Sequence, residues 1–172
     1  MALGITARDH ETSRSGSANK QDMVRRLSRE IASLNVHLEE IHQFWARALG
    51  ITGPQWTILT AVADMDRENG VSVNVVSKVL HVDSPFVTTQ SKVLEKQGFL
   101  RRKPSSTDAR VVLMSLTDKA SHDLASLTAR QESLGEFIFE EIGDHELIEL
   151  IGKLGRLKRR LEKACLKVAL EF

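Results

Sequence analysis

Arg101, Arg102 and Lys103 stand together, Pro104 to Thr107 follow as a polar turn, and Asp108 and Arg110 close the segment two residues apart. Cations at this density bind anions. An arginine on a loop tip suits a narrow minor groove, where A/T-rich DNA concentrates negative potential. Asp108 is placed to pair with Arg110 and hold it in one pose. Upstream, Ser84, Pro85, Phe86, Thr88, Thr89 and Lys92 fall on the outward side of a helical stretch, and Val87, Ser91 and Leu94 on the inward side. Hydroxyls reach base edges, Phe86 or a threonine methyl suits a thymine methyl, and Lys92 suits a phosphate. Gln90 lies between the two faces: it either reads an adenine or hydrogen-bonds inside the domain. The plainer reading of the same residues is a solvated polar turn beside a helical hairpin with no ligand.

The rest of the chain supplies elements that would position these groups. Residues 1–20 are polar and irregular and read as a disordered tail. From Gln21 to Gly50, Met23, Leu27, Ile31, Leu34, Leu38, Ile41, Trp45 and Leu49 recur every three or four positions, a helical stripe ended by Gly50. Thr52 caps a second helix opened by Gly53-Pro54. Two short helices follow, about Asn74–Leu80 and one announced by Ser84 as cap and Pro85, which ends at Gly98. Helices this short around the turn "HVD" make a helix-turn-helix. Phe99 to Lys103 and Val111 to Leu116 pair as strands with seven residues between them, and a hairpin in that place makes a winged helix. Arg101, Arg102 and Lys103 lie at the hairpin base, and Ser105 and Ser106 at its tip. From Thr117, which caps, the chain is helical again and breaks at Gly143-Asp144. Leu150, Leu154, Leu157, Leu161, Ala164 and Val168 then form a heptad-like seam.

Composition narrows the function. The chain has 172 residues and net charge +1, but residues 72–115 carry seven Lys/Arg against three Asp/Glu, so the positive charge is concentrated around the hairpin. A basic middle on a near-neutral chain points to a polyanion-binding face. The single cysteine, Cys165, excludes an internal disulfide and reads as a small packed thiol. No apolar run spans a bilayer and no secretory signal is present, so the expected location is the cytoplasm without membrane association. Nucleophile–base pairs, paired acids, phosphate loops and metal-ligand spacing are not found, so neither an enzyme nor a cofactor or metal is expected.

The string "SPFVTTQSKVLEKQGFLRR", with "VSKVL" before it and "DAR" and "SLT" after it, resembles the multiple-antibiotic-resistance-regulator (MarR) family over about residues 21–170. The resemblance implies a mainly α fold with a winged helix-turn-helix DNA-binding lobe at 51–116 and a helical dimerisation region from 21–50 and 117–172. It makes the helix ending at Gly98 the recognition helix, and Asp108 and Arg110 the wing pair. His81 stands where relatives often have glycine, and Gln90 and Ser91 where apolar residues are frequent. The implied partners are an operator duplex, a second copy of the chain and a small effector. His42, Phe44, Trp45, Arg47 and Trp56 are the residues for that effector, an aromatic acid or its coenzyme A thioester; alternatively, the tryptophans simply fill the core. The expected function is a ligand-responsive repressor. The alternative is a helical module whose winged helix binds protein.

Overall fold

The computed structural model describes residues 8–66 and 69–171, with side chains from Asn19 onward. The chain divides into two compact units, Met1–Asp123 and Leu124–Phe172. In order, the elements are α1 (Arg8–Ala48), α2 (Gly53–Met65), β1 (Val71–Ser72), α3 (Val73–Leu80), α4 (Ser84–Lys96), β2 (Leu100–Pro104), β3 (Val112–Leu116), α5 (Asp118–Phe139) and α6 (Asp144–Glu171). Of the tail expected over 1–20, residues 1–7 lie outside the described residues; from Arg8 the backbone is helical and continuous with α1. Once a helix is nucleated, each added residue contributes a hydrogen bond, so it can run on past its apolar stripe.

The first unit holds the core. Ile58, Leu59 and Val62 of α2 are buried with Val76 of α3, Val87 and Leu94 of α4, and Leu100 and Met114 of the sheet. Each such side chain contributes about 1.5–3 kcal/mol by leaving water. Helix α2 begins with a capping box: the Gln55 N–H donates to Thr52 Oγ1 and the Thr52 N–H to Gln55 Oε1. Thr117 works at two ends, its hydroxyl donating to the Gly98 carbonyl at 2.6 Å and accepting from the Ala120 N–H at the start of α5.

The sheet has the order β1-β3-β2, all antiparallel. Strands β2 and β3 pair from Leu100↔Leu116 to Pro104↔Val112, so the first arm lies one residue later than the sequence suggests, and the second begins one residue later but ends at Leu116 as expected. Strand β1 leaves no signal in the sequence, because two residues are too short for any alternation to show. In the second unit, α6 buries no residue of its own, and Leu154, Leu161 and Val168 of its seam are exposed. Cys165 is exposed as well, so the packed thiol expected from the sequence is not buried by the chain itself.

The α3–α4 turn depends on His81, which holds the left-handed conformation at φ 54°. That region costs an L-residue about 1–2 kcal/mol, and a β-branched residue more. Thermal unfolding should therefore rank His81→Gly above the wild type, by about 0.5–1 kcal/mol, and His81→Val below it. A valine variant as stable as the wild type would contradict this reading of the turn.

Candidate nucleic-acid interface

Helix α4 separates its two faces as its sequence requires. Val87, Ser91 and Leu94 are fully buried, while Pro85, Phe86, Thr89 and Lys92 are exposed and Thr88 is half-buried. The outward face is therefore hydroxyls, one aromatic ring and one ammonium. Ser84, assigned to it, and Gln90, at the boundary of the two faces, are engaged elsewhere. Ser84 is not the cap, which is Asp83, without a side-chain hydrogen bond. Instead the Ser84 hydroxyl lies 2.9 Å from Ser77 Oγ and donates to Asn74 Oδ1 at 3.1 Å, fastening α4 to α3. Gln90 turns toward α2 and accepts a hydrogen bond from Gln55 Nε2 at 3.1 Å. Of the two readings open for Gln90, the internal one describes this geometry.

The hairpin tip is ordered by its own side chains. Thr107 N–H donates to Ser105 Oγ at 3.3 Å, and the two hydroxyls lie 3.0 Å apart. The Arg110 N–H donates to Asp108 Oδ1 at 2.9 Å, and the Val111 N–H to the Asp108 carbonyl. Asp108 thus braces Arg110 through the backbone, as an Asx turn, rather than by the ion pair its spacing suggested. Among the described residues no ion pair joins them, and the guanidinium is exposed. Ser106 and Lys103 are exposed too. Arg101 is exposed but lies 3.2 Å from Asp118, a surface pair of small energetic weight.

Arg102 is the residue that the sequence left without a separate role. Strand residues alternate, so it shares a face with buried Leu100 while Arg101 and Lys103 point the other way. Its side chain is 10% exposed and reaches Glu95 of α4 at 3.7 Å, and its Nε has no hydrogen-bond partner. With Arg110 it lines a groove of about 500 Å³ whose other wall includes Ser72, Asn74, Ser84 and Thr88. The N-termini of α3 and α4 and two guanidinium groups therefore border one space. Free helix N–H groups and arginine forks both favour phosphate-type oxygens. The strand period, applied to "RRK", was the available signal for Arg102.

The proposed effector residues are placed unevenly. Trp45 and Trp56 are 6% and 3% exposed and belong to the core. Phe44 is 59% exposed and meets Trp45 edge to face, with centroids 5.0 Å apart. His42 is half-buried, 3.7 Å from Glu39, and Arg47 is exposed.

Asp108→Asn keeps the oxygen that accepts from Arg110, whereas Asp108→Ala removes it. Amide hydrogen exchange should leave Arg110 as protected in the Asn variant as in the wild type, and speed its exchange severalfold in the Ala variant. Equal loss in both variants would restore the ion-pair reading.

The lobe also has relatives. Residues 49–111 match the MarR family model. An uncharacterized HTH-type transcriptional regulator of Bacillus subtilis, YdgJ, is 26% identical over 112 residues, covering 65% of this chain and 66% of the relative, so the chain spans about two thirds of it. The transcriptional activatory protein BadR of Rhodopseudomonas palustris is 27% identical over 128 residues, covering 69% and 73%. Among solved structures, a MarR protein of Peptoclostridium difficile superposes with a TM-score of 0.70 at 22% identity over 83% of this chain and 91% of the other. A mutant MarR of Escherichia coli complexed with operator DNA superposes with a TM-score of 0.66 at 21% identity, covering 79% and 96%. The family model matched by residues 49–111 and these likenesses make the winged-helix lobe similar to those of the MarR family of DNA-binding transcriptional regulators.

Proposed function

We propose that the chain is a ligand-responsive repressor that binds a pseudo-palindromic operator as a homodimer. Each α4 lies in a major groove and each wing in the adjoining minor groove. The observation that carries this reading is the pairing of an outward, hydroxyl-rich α4 face with an exposed, backbone-braced Arg110 beside it. Thr88, Thr89 and Phe86 then meet base edges, Lys92 meets a phosphate and Arg110 enters the minor groove. The Escherichia coli relative bound to operator DNA supports the duplex as ligand.

The second copy is supported by apolar surface. Met23, Leu27, Leu34 and Leu38 of α1 are about half exposed or more, and so are Ile151, Leu161 and Val168 of α6. Stripes of this extent on two separate helices are surfaces that a partner covers. Two-fold pairing repeats the recognition helix about one helical turn away along the duplex.

For the effector, the reading is an aromatic acid or its coenzyme A thioester at the end of α1. Exposed Phe44 offers a ring face there, and His42 Nδ1 lacks a hydrogen-bond partner. Binding there would favour a dimer whose lobes are spaced wrongly for the operator.

The test is a salt-dependent binding titration of the full chain against the DNA upstream of its own gene, repeated with Arg110→Ala and Lys92→Ala. Saturable wild-type binding is expected. Each variant should lose about tenfold or more in affinity, and the slope of log K against log salt should flatten by about one for each phosphate that is no longer neutralised. Benzoate-type acids and their coenzyme A thioesters should weaken wild-type binding. Variants that bind as the wild type does at every salt concentration would overturn the assignment.

A further inference from the structure

Gln55 is 5% exposed at the start of α2, yet it makes three directed hydrogen bonds. Its backbone N–H and its Oε1 complete the capping box with Thr52, and its Nε2 donates across to Gln90 Oε1 of α4 at 3.1 Å. Both ends of its amide are committed, so the side chain has little freedom to rotate. The α1–α2 corner is tight beside it: a Cβ on Gly53 would lie 3.2 Å from Nε2 of Gln43, a residue of α1. The acceptor, Gln90, is half-buried and lies one position from Thr89 on the exposed face and one from Ser91 on the buried face.

The geometry points to Gln55 as a positioning residue for DNA binding: through Gln90 it fixes the rotation of α4 about its own axis, and so sets where Thr88, Thr89 and Lys92 point. This inference rests on the DNA-binding reading and extends it. The inward residues Val87, Ser91 and Leu94 hold α4 against the core, but apolar packing is not directional and two of the three are small. A hydrogen bond at the boundary of the two faces is directional and resists rotation. The same Gln55 side chain accepts from the Thr52 N–H, a backbone bond that holds its amide at the start of α2 while it reaches α4. Neither glutamine needs to touch the duplex.

The experiment is a double-mutant cycle on operator affinity with Gln55→Leu, Gln90→Leu and both together. Thr52→Val serves as control, since it removes a cap acceptor of α2 without touching Gln90. Each single glutamine variant should lose about tenfold in affinity, because it leaves the other glutamine's amide without its partner and releases the tether. The double variant should be no weaker than either single variant, and the salt slope should stay at the wild-type value. Thr52→Val should lower the melting temperature and leave affinity within about twofold. Amide exchange in free protein adds a readout independent of DNA: α4 should exchange faster in both single variants, with little change in Thr52→Val. Additive losses, a changed base preference at one operator position in Gln90→Leu, or an affinity loss in Thr52→Val equal to that in Gln55→Leu would each overturn the inference. Absence of saturable binding by the wild type would instead overturn the regulatory reading, and the exchange measurement would still decide whether the tether exists.

Discussion

The pairing of β3 on both of its edges is the constraint on which the lobe depends. The backbone of Met114 sits opposite Val71 of β1 on one side and Arg102 of β2 on the other, and its side chain is fully buried. Strand β1 leads directly into α3, and β2 follows α4 after the turn at Gly98. One central strand therefore clips the chain before and after the helix-turn-helix. A register slip of one residue would turn Met114 outward and carry the whole wing with it. The tip, with Arg110, extends from the same two strands, so its position relative to α4 is set by the ladder rather than by the loop.

Polar contacts then adjust what the ladder positions. Ser77, Ser84 and Asn74 fasten α3 to α4 near the turn, Gln55 and Gln90 fasten α4 to α2, and Arg102 reaches Glu95 from β2. These bonds come from three directions and converge on one helix of thirteen residues. Apolar packing at Val87 and Leu94 supplies most of the stability of this helix, and the directional bonds supply its orientation. A helix that must present several side chains to base edges needs orientation as much as burial.

Much of this arrangement was legible in the sequence. Gly50 and Gly98 hold positive φ just past the ends of α1 and α4, and Gly53-Pro54 opens α2, so these helix ends lie where the glycine and proline signals place them. The inward set of α4 followed from the helical period. The unread features share a physical cause: each depends on a partner distant in sequence or on a choice between backbone and side-chain bonding. Gln90 sits at a face boundary, and its direction is decided by Gln55, thirty-five residues earlier. The spacing of Asp108 and Arg110 fits either an ion pair or an Asx turn, and only the turn conformation selects between them. Ser84 has the residue type of a cap but serves as a link to α3. Arg102 is one of three adjacent cations until the strand period separates it from its neighbours.

The central claim is that one lobe addresses two grooves, α4 the major and Arg110 the adjoining minor. Footprinting the full chain on its bound DNA tests this most directly, with hydroxyl radicals reporting the minor groove and dimethyl sulfate reporting guanine N7 in the major groove. The account predicts that the wild type protects both, and that Arg110→Ala, at concentrations that restore occupancy, keeps the major-groove protection and loses that of the minor groove. Minor-groove protection that persists without Arg110 would contradict it.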